Sequence, residues 1–356
     1  MRVLTVVGNR PQFVKAAAVS RLLRAEHEEV LLHTGQHYDD ELSAVFFAEL
    51  GLPAPDLELR LGTGTNAEQT ARMLGALAPA IADAEPDAVL VYGDTNSTLA
   101  GGLAAAQDGV PVVHVEAGMR SFDRSMPEEL NRVLTDHLSS LLLCSSQTAV
   151  ANLEREGVAG RVELVGDVMV DVAALVAPRA AADPGPLAQA GVTAGEYLLV
   201  TAHRAGNVDD PARLERLVAL LEALPGPVAL PLHPRTRARL ETAGLLARLE
   251  AAPGVRLLAP VGYVEFAALL AQARAVLTDS GGVQKEAYLA GVPCVTLRDR
   301  TEWVETVDAG WNALVDLDAR AALEALKRPL PSRRPPLYGD GRAGERVVAA
   351  LASLAG

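Results

Sequence analysis

The chain has 356 residues, of which 49% are hydrophobic and 22% are charged, so it can bury the cores of two domains of ordinary size. Its formal net charge of −13 argues against electrostatic binding of nucleic acid, because a phosphate backbone requires a basic surface. It shows no signal peptide and no run of membrane-spanning length, and its two cysteines, Cys144 and Cys294, fit neither a disulfide framework nor a metal site. We therefore expect a cytoplasmic protein with no metal or other cofactor, no membrane contact and no nucleic-acid partner.

The first half of the chain alternates between short apolar runs and longer helical patterns. The runs are β-branched and uninterrupted, as in parallel strands whose two faces are covered by helices. The predicted strands are Val3–Val7, Val30–His33, Ala88–Tyr92, Val110–Val115, Leu141–Cys144 and Val162–Val165. Asn66–Asp83 and Glu128–Ser139 are predicted to be helices between them.

The second half restarts the same alternation, which predicts a second domain of the same kind. Its predicted strands are Tyr197–Thr201, Val228–Leu232, Val255–Leu258, Ala275–Thr278 and Pro293–Leu297. Two such series predict an α/β chain of two doubly wound Rossmann-like domains, residues 1–170 and 171–340. The helical Asp171–Val176 and the Pro- and Ala-rich Pro178–Pro186, interpreted as a linker, lie at the seam. Ligands bind at the carboxyl ends of such strands, so the cleft between the domains is the expected site.

Polar residues that could carry chemistry follow the predicted strands of the first half. Arg10, next to a helix start, and Lys15, inside that helix, could meet a phosphate, although a simple turn explains the segment equally well. Asp94, Glu116 and Glu128 each have an ordinary explanation as a helix cap, a strand-end charge and a first-turn acid. Their coincidence favours function, because carboxylates that converge on one cleft edge can divide into an acid and a base.

The second half offers a candidate histidine and a candidate phosphate cradle. His203 ends a strand and could be an acid, a base or a phosphate ligand, with a hydrogen-bonded structural histidine as the alternative. Ser280, Gly281 and Gly282 follow a strand, where glycines let a diphosphate approach the N–H groups of a helix start. Glu286 on the following helix can reach ribose hydroxyls, whereas the alternative is a tight turn with a surface glutamate.

Taken in chain order, these motifs resemble the non-hydrolysing UDP-N-acetylglucosamine 2-epimerase family. The matching segments are residues 8–12, 34–37, 92–98, 114–120, 127–132, 203–204, 233–234 and 279–286. The resemblance implies a GT-B-like arrangement of two Rossmann-like domains with the active site in the interdomain cleft. It also implies that the last helix, within residues 341–356, packs back on the first domain. A UDP-sugar substrate and often a homodimer are implied as well, together with a role in polysaccharide biosynthesis.

The family reaction inverts C2 of the sugar by eliminating UDP across C1–C2 and adding it back after protonation of the other face. The resemblance implies catalytic roles for Asp94, Glu116, Glu128 and His203, with Arg10, Lys15 and Arg132 in support. Ser280, Gly281, Gly282 and Glu286 match the UDP-binding positions, and Phe266 matches an aromatic residue that packs near uracil. Which carboxylate takes the C2 proton is left open.

Other functions compete with this interpretation. A related 2-epimerase that acts on UDP-2,3-diacetamido-2,3-dideoxyglucuronate is the main alternative, since Arg204, Arg298 and Arg300 could bind a C6 carboxylate. A glycosyltransferase of the same fold and a catalytically silent UDP-sugar binding protein are more distant. A G-x-G-x-x-A pattern at residues 62–67 suggests a hydride-transferring NAD enzyme only weakly, because it does not follow the first strand.

The chain departs from the family at several positions. The family often has Glu where Gly206 stands, and Arg then Pro where Trp303 and Val304 stand. At the site through which UDP-N-acetylglucosamine activates the common bacterial branch, Gln36 and His37 match, but Asp39 replaces a Gln and Glu68 an Arg. An acidic residue in place of an arginine repels a diphosphate, so we predict that this activation is lost.

Overall fold

The structure is a computed structural model that describes residues 1–36 and 49–354. Its contacts divide the chain into two units. One comprises Met1–Leu175 together with Pro336–Gly356, and the other comprises Val176–Pro335. Each unit has its own parallel sheet and its own buried apolar core. The predicted regulatory residues His37 and Asp39 lie outside the described residues.

The first unit is built on a seven-stranded sheet in the order β3-β2-β1-β4-β5-β6-β7, with every neighbouring pair parallel. The strands are β1 (Arg2–Val7), β2 (Glu28–His33), β3 (Leu57–Glu58), β4 (Ala88–Tyr92), β5 (Val112–Ala117), β6 (Leu141–Cys144) and β7 (Arg161–Leu164). The central strands are buried throughout, as their uninterrupted apolar sequences predict. The two-residue β3 was not predicted, because it is too short to leave a pattern.

Helices cover this sheet and begin at residues suited to capping. They are α1 (Arg10–Glu26), α2 (Asn66–Ala84), α3 (Asn96–Gln107), α4 (Pro127–Leu138), α5 (Gln147–Glu156) and α6 (Val168–Ala182). The side chains of Asn9, Thr65, Thr95 and Ser146 accept a backbone N–H of the first turn of α1, α2, α3 and α5. These caps fix where each helix starts relative to the strand before it.

Helix α6 corrects the predicted linker. It runs through Pro178 to Ala182, so the first half of the predicted Pro178–Pro186 linker is helical. The division between the two units falls inside this helix, after Leu175. A proline inside a helix is unfavourable, whereas the alanines around Pro178 have the highest helix propensity and favour the helical segment.

The second unit repeats the topology with a six-stranded parallel sheet in the order β10-β9-β8-β11-β12-β13. Its strands are β8 (Leu198–Thr201), β9 (Val228–Pro231), β10 (Val255–Leu258), β11 (Ala275–Thr278), β12 (Cys294–Thr296) and β13 (Asn312–Leu314). Its helices are α7 (Gly185–Ala190), α8 (Ala205–Val208), α9 (Pro211–Ala223), α10 (Pro234–Thr242), α11 (Leu246–Glu250), α12 (Tyr263–Ala271), α13 (Gly281–Ala290), α14 (Val304–Asp308) and α15 (Ala319–Ala325). Within the described part of the chain, no helix is long and apolar enough to cross a membrane.

The last helix, α16 (Ala343–Ala352), belongs to the first unit and packs against α1. The carboxylate of Asp171 accepts the N–H of Ala343 at 3.1 Å and that of Gly344 at 2.9 Å, which caps α16. Gly344 is required at this contact, because a Cβ there would lie 2.8 Å from the carbonyl oxygen of Ala18.

Each sheet reverses its strand order at one point, between β1 and β4 in the first unit and between β8 and β11 in the second. Doubly wound sheets bind ligands outside the carboxyl ends of the strands at such a reversal. The segments that leave these four strands carry Arg10, Asp94, His203 and Ser280, in chain order. The topology therefore brings predicted site residues to the binding edge of each sheet.

Candidate active site

Glu116 lies near the end of β5 in an uncommon backbone conformation. Its φ is +72°, in the left-handed region, and the pairing of β5 with β6 shifts register between Val115 and Ala117. A non-glycine residue in this region costs about 1–2 kcal/mol and persists only where the surroundings hold it, which occurs most often at functional sites. The predicted strand Val110–Val115 stopped before Glu116, so this conformation was not anticipated.

Lys15 from α1 pairs with the Glu116 carboxylate, and both side chains are largely buried, at 13% and 8% exposed. Gly93, after β4, lies against this pair: a Cβ there would be 3.0 Å from Lys15 Nζ and 3.4 Å from Glu116 Oε2. Since Gly93 directly precedes Asp94, the loops after β4 and β5 bring two of the predicted carboxylate residues to the same edge of the sheet.

Asp94 is not the helix cap that its position suggested. Thr95 caps α3 in a reciprocal arrangement with Thr98, which leaves the Asp94 side chain outside that role. The Asp94 carboxylate instead pairs with Arg132 from α4, and it remains 31% exposed. Asn131, also on α4, donates to the Asp94 carbonyl oxygen at 3.0 Å, so one helix positions both the backbone and the side chain of this residue.

Glu128 opens α4 one helical turn before Arg132, which places the two side chains on the same side of the helix. It is half-buried, and among the described residues no hydrogen bond or ion pair engages its carboxylate. The neighbouring Glu129 stabilises this helix start. It accepts the N–H groups of Ser121 and Phe122 at 2.9 Å each and binds Arg132. Glu128 is therefore available for chemistry.

Arg10 stands at the first position of α1, where the helix dipole favours an anion. The buried carboxamide of Gln12 ties this helix start to the neighbouring loop. It accepts the N–H of Gly8 at 2.8 Å and donates to the Tyr92 carbonyl and the Thr98 hydroxyl at 2.9 Å each. Arg10 is thus fixed at the β1–β4 reversal, beside the loop that carries Asp94.

In the second unit, His203 is positioned by a buried aspartate that the sequence did not single out. The N–H groups of His203 and Arg204 each donate to the Asp279 carboxylate at 3.0 Å, and Asn207 Nδ2 donates at 3.2 Å. The His203 ring stacks on that of His233, with centroids 5.2 Å apart. Burial lowers the pKa of His203, with Asp279 acting in the opposite direction. The lowered pKa favours a neutral imidazole at neutral pH, which can accept a proton.

The start of α13 has the open backbone that a diphosphate needs. Ser280 is the N-cap, and Gly281 and Gly282 open the helix. A Cβ on Gly281 would lie 3.5 Å from Trp303 Nε1, so the indole borders the helix start. The Trp303 ring also carries Lys285 Nζ, 4.3 Å from its centroid. The departure from the family at Trp303 therefore lies directly beside the predicted phosphate position.

Glu286 and Phe266 lie on α13 and α12, two helices that contact each other. Burial raises the pKa of Glu286 to about 7, against the opposing effects of a hydrogen bond from Tyr263 and the charge of Lys285. Phe266 is half-buried and packs against the core of the second unit. A partly exposed ring and a nearby carboxyl group suit the base and ribose of a nucleotide.

The three arginines considered for a sugar carboxylate differ in how they are held. Arg298 makes two hydrogen bonds to Glu302, at 2.9 and 3.1 Å, and both residues are buried. Arg300 is half-exposed at its side chain and lies 3.4 Å from Asp299. Arg204 approaches Glu302 only to 4.0 Å. Arg204, adjacent to His203, can therefore turn toward an anion most easily.

The family model described as UDP-N-acetylglucosamine 2-epimerase matches residues 21–352 of the chain. The chain belongs to this family. A UDP-2,3-diacetamido-2,3-dideoxy-D-glucuronate 2-epimerase from Pseudomonas aeruginosa is 46% identical over 99% of this chain and 100% of the relative. A UDP-N-acetylglucosamine 2-epimerase from Methanocaldococcus jannaschii is 40% identical over 99% of this chain and 99% of the relative.

Solved structures extend the match to three dimensions. A crystal structure of the Methanocaldococcus jannaschii UDP-GlcNAc 2-epimerase, in complex with UDP-GlcNAc and UDP, has a TM-score of 0.93 and 40% identity, and the match covers 99% of this chain and 100% of that one. The match confirms the predicted fold class, two Rossmann-like domains of the GT-B-like kind, and the predicted family. The protein is accordingly an isomerase of the 2-epimerase class.

Proposed function

We propose that this 2-epimerase interconverts UDP-N-acetylglucosamine and UDP-N-acetylmannosamine by eliminating UDP and adding it back. The observation that carries the proposal is the pair of carboxylates Asp94 and Glu116 at one sheet edge, each held by a cation from a helix. The C2 proton of the sugar is not beside a carbonyl and is poorly acidic, so direct removal and return is difficult. Loss of UDP in the same process supplies the missing driving force.

The proposed steps conserve atoms and charge. A carboxylate takes the proton from C2, the C2–H electron pair forms the C1=C2 double bond, and the C1–O bond breaks to release UDP. The glycal is then protonated at C2 on the opposite face, and the UDP oxygen bonds again to C1. We propose that Asp94, Glu116 and Glu128 share the two proton transfers with His203, since carboxylates are ordinarily ionised at neutral pH and can act as bases.

We propose that the nucleotide is held chiefly by the second unit. In the Ser280–Gly282 segment the backbone N–H groups of Gly281 and Gly282 bind the diphosphate, Glu286 accepts from ribose, and Phe266 packs on uracil. Arg10, Lys15 and Arg132 are proposed to stabilise the charge of departing UDP from the first unit. Each sheet reverses its strand order beside some of these groups, which supports the proposal that the second unit binds the nucleotide and the first stabilises the charge of UDP.

A second substrate is favoured by one comparison. The Pseudomonas aeruginosa relative, at 46% identity, acts by its name on a diacetamido-dideoxy-glucuronate. Such a sugar carries a carboxylate at C6, for which Arg204 is the best-placed partner. We propose UDP-N-acetylglucosamine as the first substrate to test and the diacetamido uronate as the second.

Incubation with each sugar in deuterated water tests the proposal. Deuterium should appear at C2 of the preferred sugar, together with its 2-epimer. Deuterium exchange at C2 of the uronate alone would show that the uronate is the substrate. Exchange with neither sugar would contradict the proposal. The measurement is proton NMR of the C2 position against a boiled-enzyme control.

We also propose that the enzyme works in the cytoplasm as a homodimer. The buried thiols of Cys144 and Cys294 support a reducing compartment. Sedimentation of the purified protein tests the dimer, and a monomer at micromolar concentration would contradict it.

A further inference from the structure

His114 lies on β5, two residues before Glu116, and its imidazole is fully buried. Nδ1 lies 2.7 Å from Asp136 Oδ1 on α4, and Nε2 lies 2.7 Å from the carbonyl oxygen of Gly93. A carbonyl oxygen can only accept a hydrogen bond, so Nε2 must carry a proton and donate it. The protonation of Nε2 is thereby assigned independently of Nδ1.

The partner on the other side is also an acceptor. The Asp136 carboxylate accepts from Arg120 Nη1 at 2.7 Å and from the N–H of Gly118 at 3.1 Å. Burial alone would raise the pKa of Asp136, but the charges and hydrogen bonds of His114 and Arg120 outweigh it and bring that pKa below its ordinary value. Because Arg120 and the Gly118 amide both donate to Asp136, we take its carboxylate as an ionised acceptor, to which Nδ1 of His114 donates as well.

We propose that His114 is a positioning residue that acts as a buried imidazolium, holding the Gly93 carbonyl and thereby the turn that presents Asp94. The inference rests on the proposed function, in which Asp94 and Glu116 act on the sugar. Asp136 orients the ring from the other side. Because Asp136 also binds the Gly118 amide, the His114–Asp136 pair links the loops after β4 and β5.

The position of Gly93 explains why this hold matters. Its φ of +64° and its closeness to Lys15 and Glu116 leave little room for movement. A charge-assisted hydrogen bond to its carbonyl fixes the peptide between Gly93 and Asp94 more firmly than a neutral one. A buried charge is costly unless it is paired, and the pairing with Asp136 offsets that cost.

Two variants separate the hydrogen bond made by Nε2 of His114 from the one made by Nδ1. In His114→Gln the amide nitrogen reaches approximately the Nε2 position and can donate to Gly93, whereas in His114→Asn it reaches the Nδ1 position and can donate only to Asp136. We expect kcat of the Gln variant to exceed that of the Asn variant by about tenfold or more, the worth of one strong hydrogen bond. The two variants should have similar KM values for the UDP-sugar and similar melting temperatures.

Equal kcat values in both variants, or losses of kcat that follow the losses of melting temperature, would show a merely structural histidine and overturn the inference. A measurement on the unaltered protein keeps the test independent of how the variants fold. In 15N NMR of histidine-labelled enzyme, one ring should show two protonated nitrogens, both held in hydrogen bonds. Its resonance should be missing from the Gln variant.

A neutral ring at position 114 in that spectrum would also overturn the inference. This readout uses no substrate. Absence of C2 exchange with both sugars would therefore reject the proposed function while leaving the charge of His114 measurable, so the two failures are distinguishable.

Discussion

At the scale of single residues, the proposed site contains carboxylates whose positions are set by groups on other elements. Lys15 of α1 holds Glu116, and Arg132 of α4 holds Asp94. Glu128 is left unengaged by the described residues, one helical turn from Arg132. Neighbouring acidic groups in different surroundings can divide acid and base roles, as an elimination followed by a re-addition requires.

The first prediction concerns these carboxylates. Asp94→Asn and Glu116→Gln should each lower kcat by about a hundredfold or more, because each removes a proton-transfer group without changing its size. Free UDP and glycal should accumulate in at least one variant, where elimination outruns re-addition. Glu154→Gln, on the exposed side of α5, is the matched control and should leave kcat unchanged. Full activity in both active-site variants would contradict the assigned roles.

Gly93 gives a second prediction. Gly93→Ala places a Cβ 3.0 Å from Lys15 Nζ at a φ of +64°, so the Lys15–Glu116 pair must shift, and kcat should fall by about tenfold or more. Gly109→Ala is the control, since its φ is +72° but no described atom lies within 4 Å of the new Cβ. Both should lose about 1–2 kcal/mol of stability from the left-handed backbone. Equal kcat values for the Gly93→Ala and Gly109→Ala variants would show that Gly93 is needed only for the left-handed turn.

The third prediction follows from the pKa of Glu286, raised to about 7 by burial. In the proposed role, the ionised carboxyl accepts hydrogen bonds from ribose above that pH, and protonation below it removes an acceptor. KM for the UDP-sugar should therefore rise as the pH falls through about 7. Glu286→Gln should have a higher KM that lacks this pH dependence. An unchanged KM between about pH 8 and 6 in the unaltered enzyme would contradict the assignment.

At the scale of elements, the sequence predicted the strands that lead to the proposed site residues but not the backbone conformation at the strand ends. The runs that became β4 and β11 were predicted at their observed bounds, because uninterrupted apolar residues mark buried parallel strands. The left-handed conformation of Glu116, the buried anchor Asp136 and the anchoring role of Asp279 were not predicted. They depend on contacts between segments far apart in the chain, which periodicity does not encode.

Helix α2 carries the fourth prediction. Glu68 accepts the N–H of Thr65 at 2.8 Å and its hydroxyl at 3.0 Å, closing a capping box, and these hydrogen bonds lower its pKa. The helix start that an activating diphosphate would need thus already bears a negative charge. A progress curve with UDP-N-acetylmannosamine alone should start without a lag, and added UDP-N-acetylglucosamine should not accelerate it. A strict requirement for that sugar would refute the prediction.

At the scale of the whole molecule, two sheets of the same topology present different parts of the proposed chemistry. The first presents the carboxylates and the second presents a glycine-opened helix start with a nearby histidine. The chain returns to the first unit through α16, which is anchored by Asp171. Two Rossmann-like domains were predictable from the repeated alternation of strands and helices. The extension of α6 into the expected linker was not, because Pro178 inside that helix suggested a break.

Positional isotope exchange tests the central claim most directly, because it reports cleavage of the C1–O bond. The UDP-sugar is labelled with 18O in the bridge between C1 and the β-phosphorus, and the recovered sugar is analysed by 31P NMR. Elimination makes the bridging oxygen equivalent to the other terminal oxygens, so the label should scramble as the 2-epimer forms. Epimer that carries solvent deuterium at C2 while the label stays wholly in the bridge would contradict elimination and re-addition.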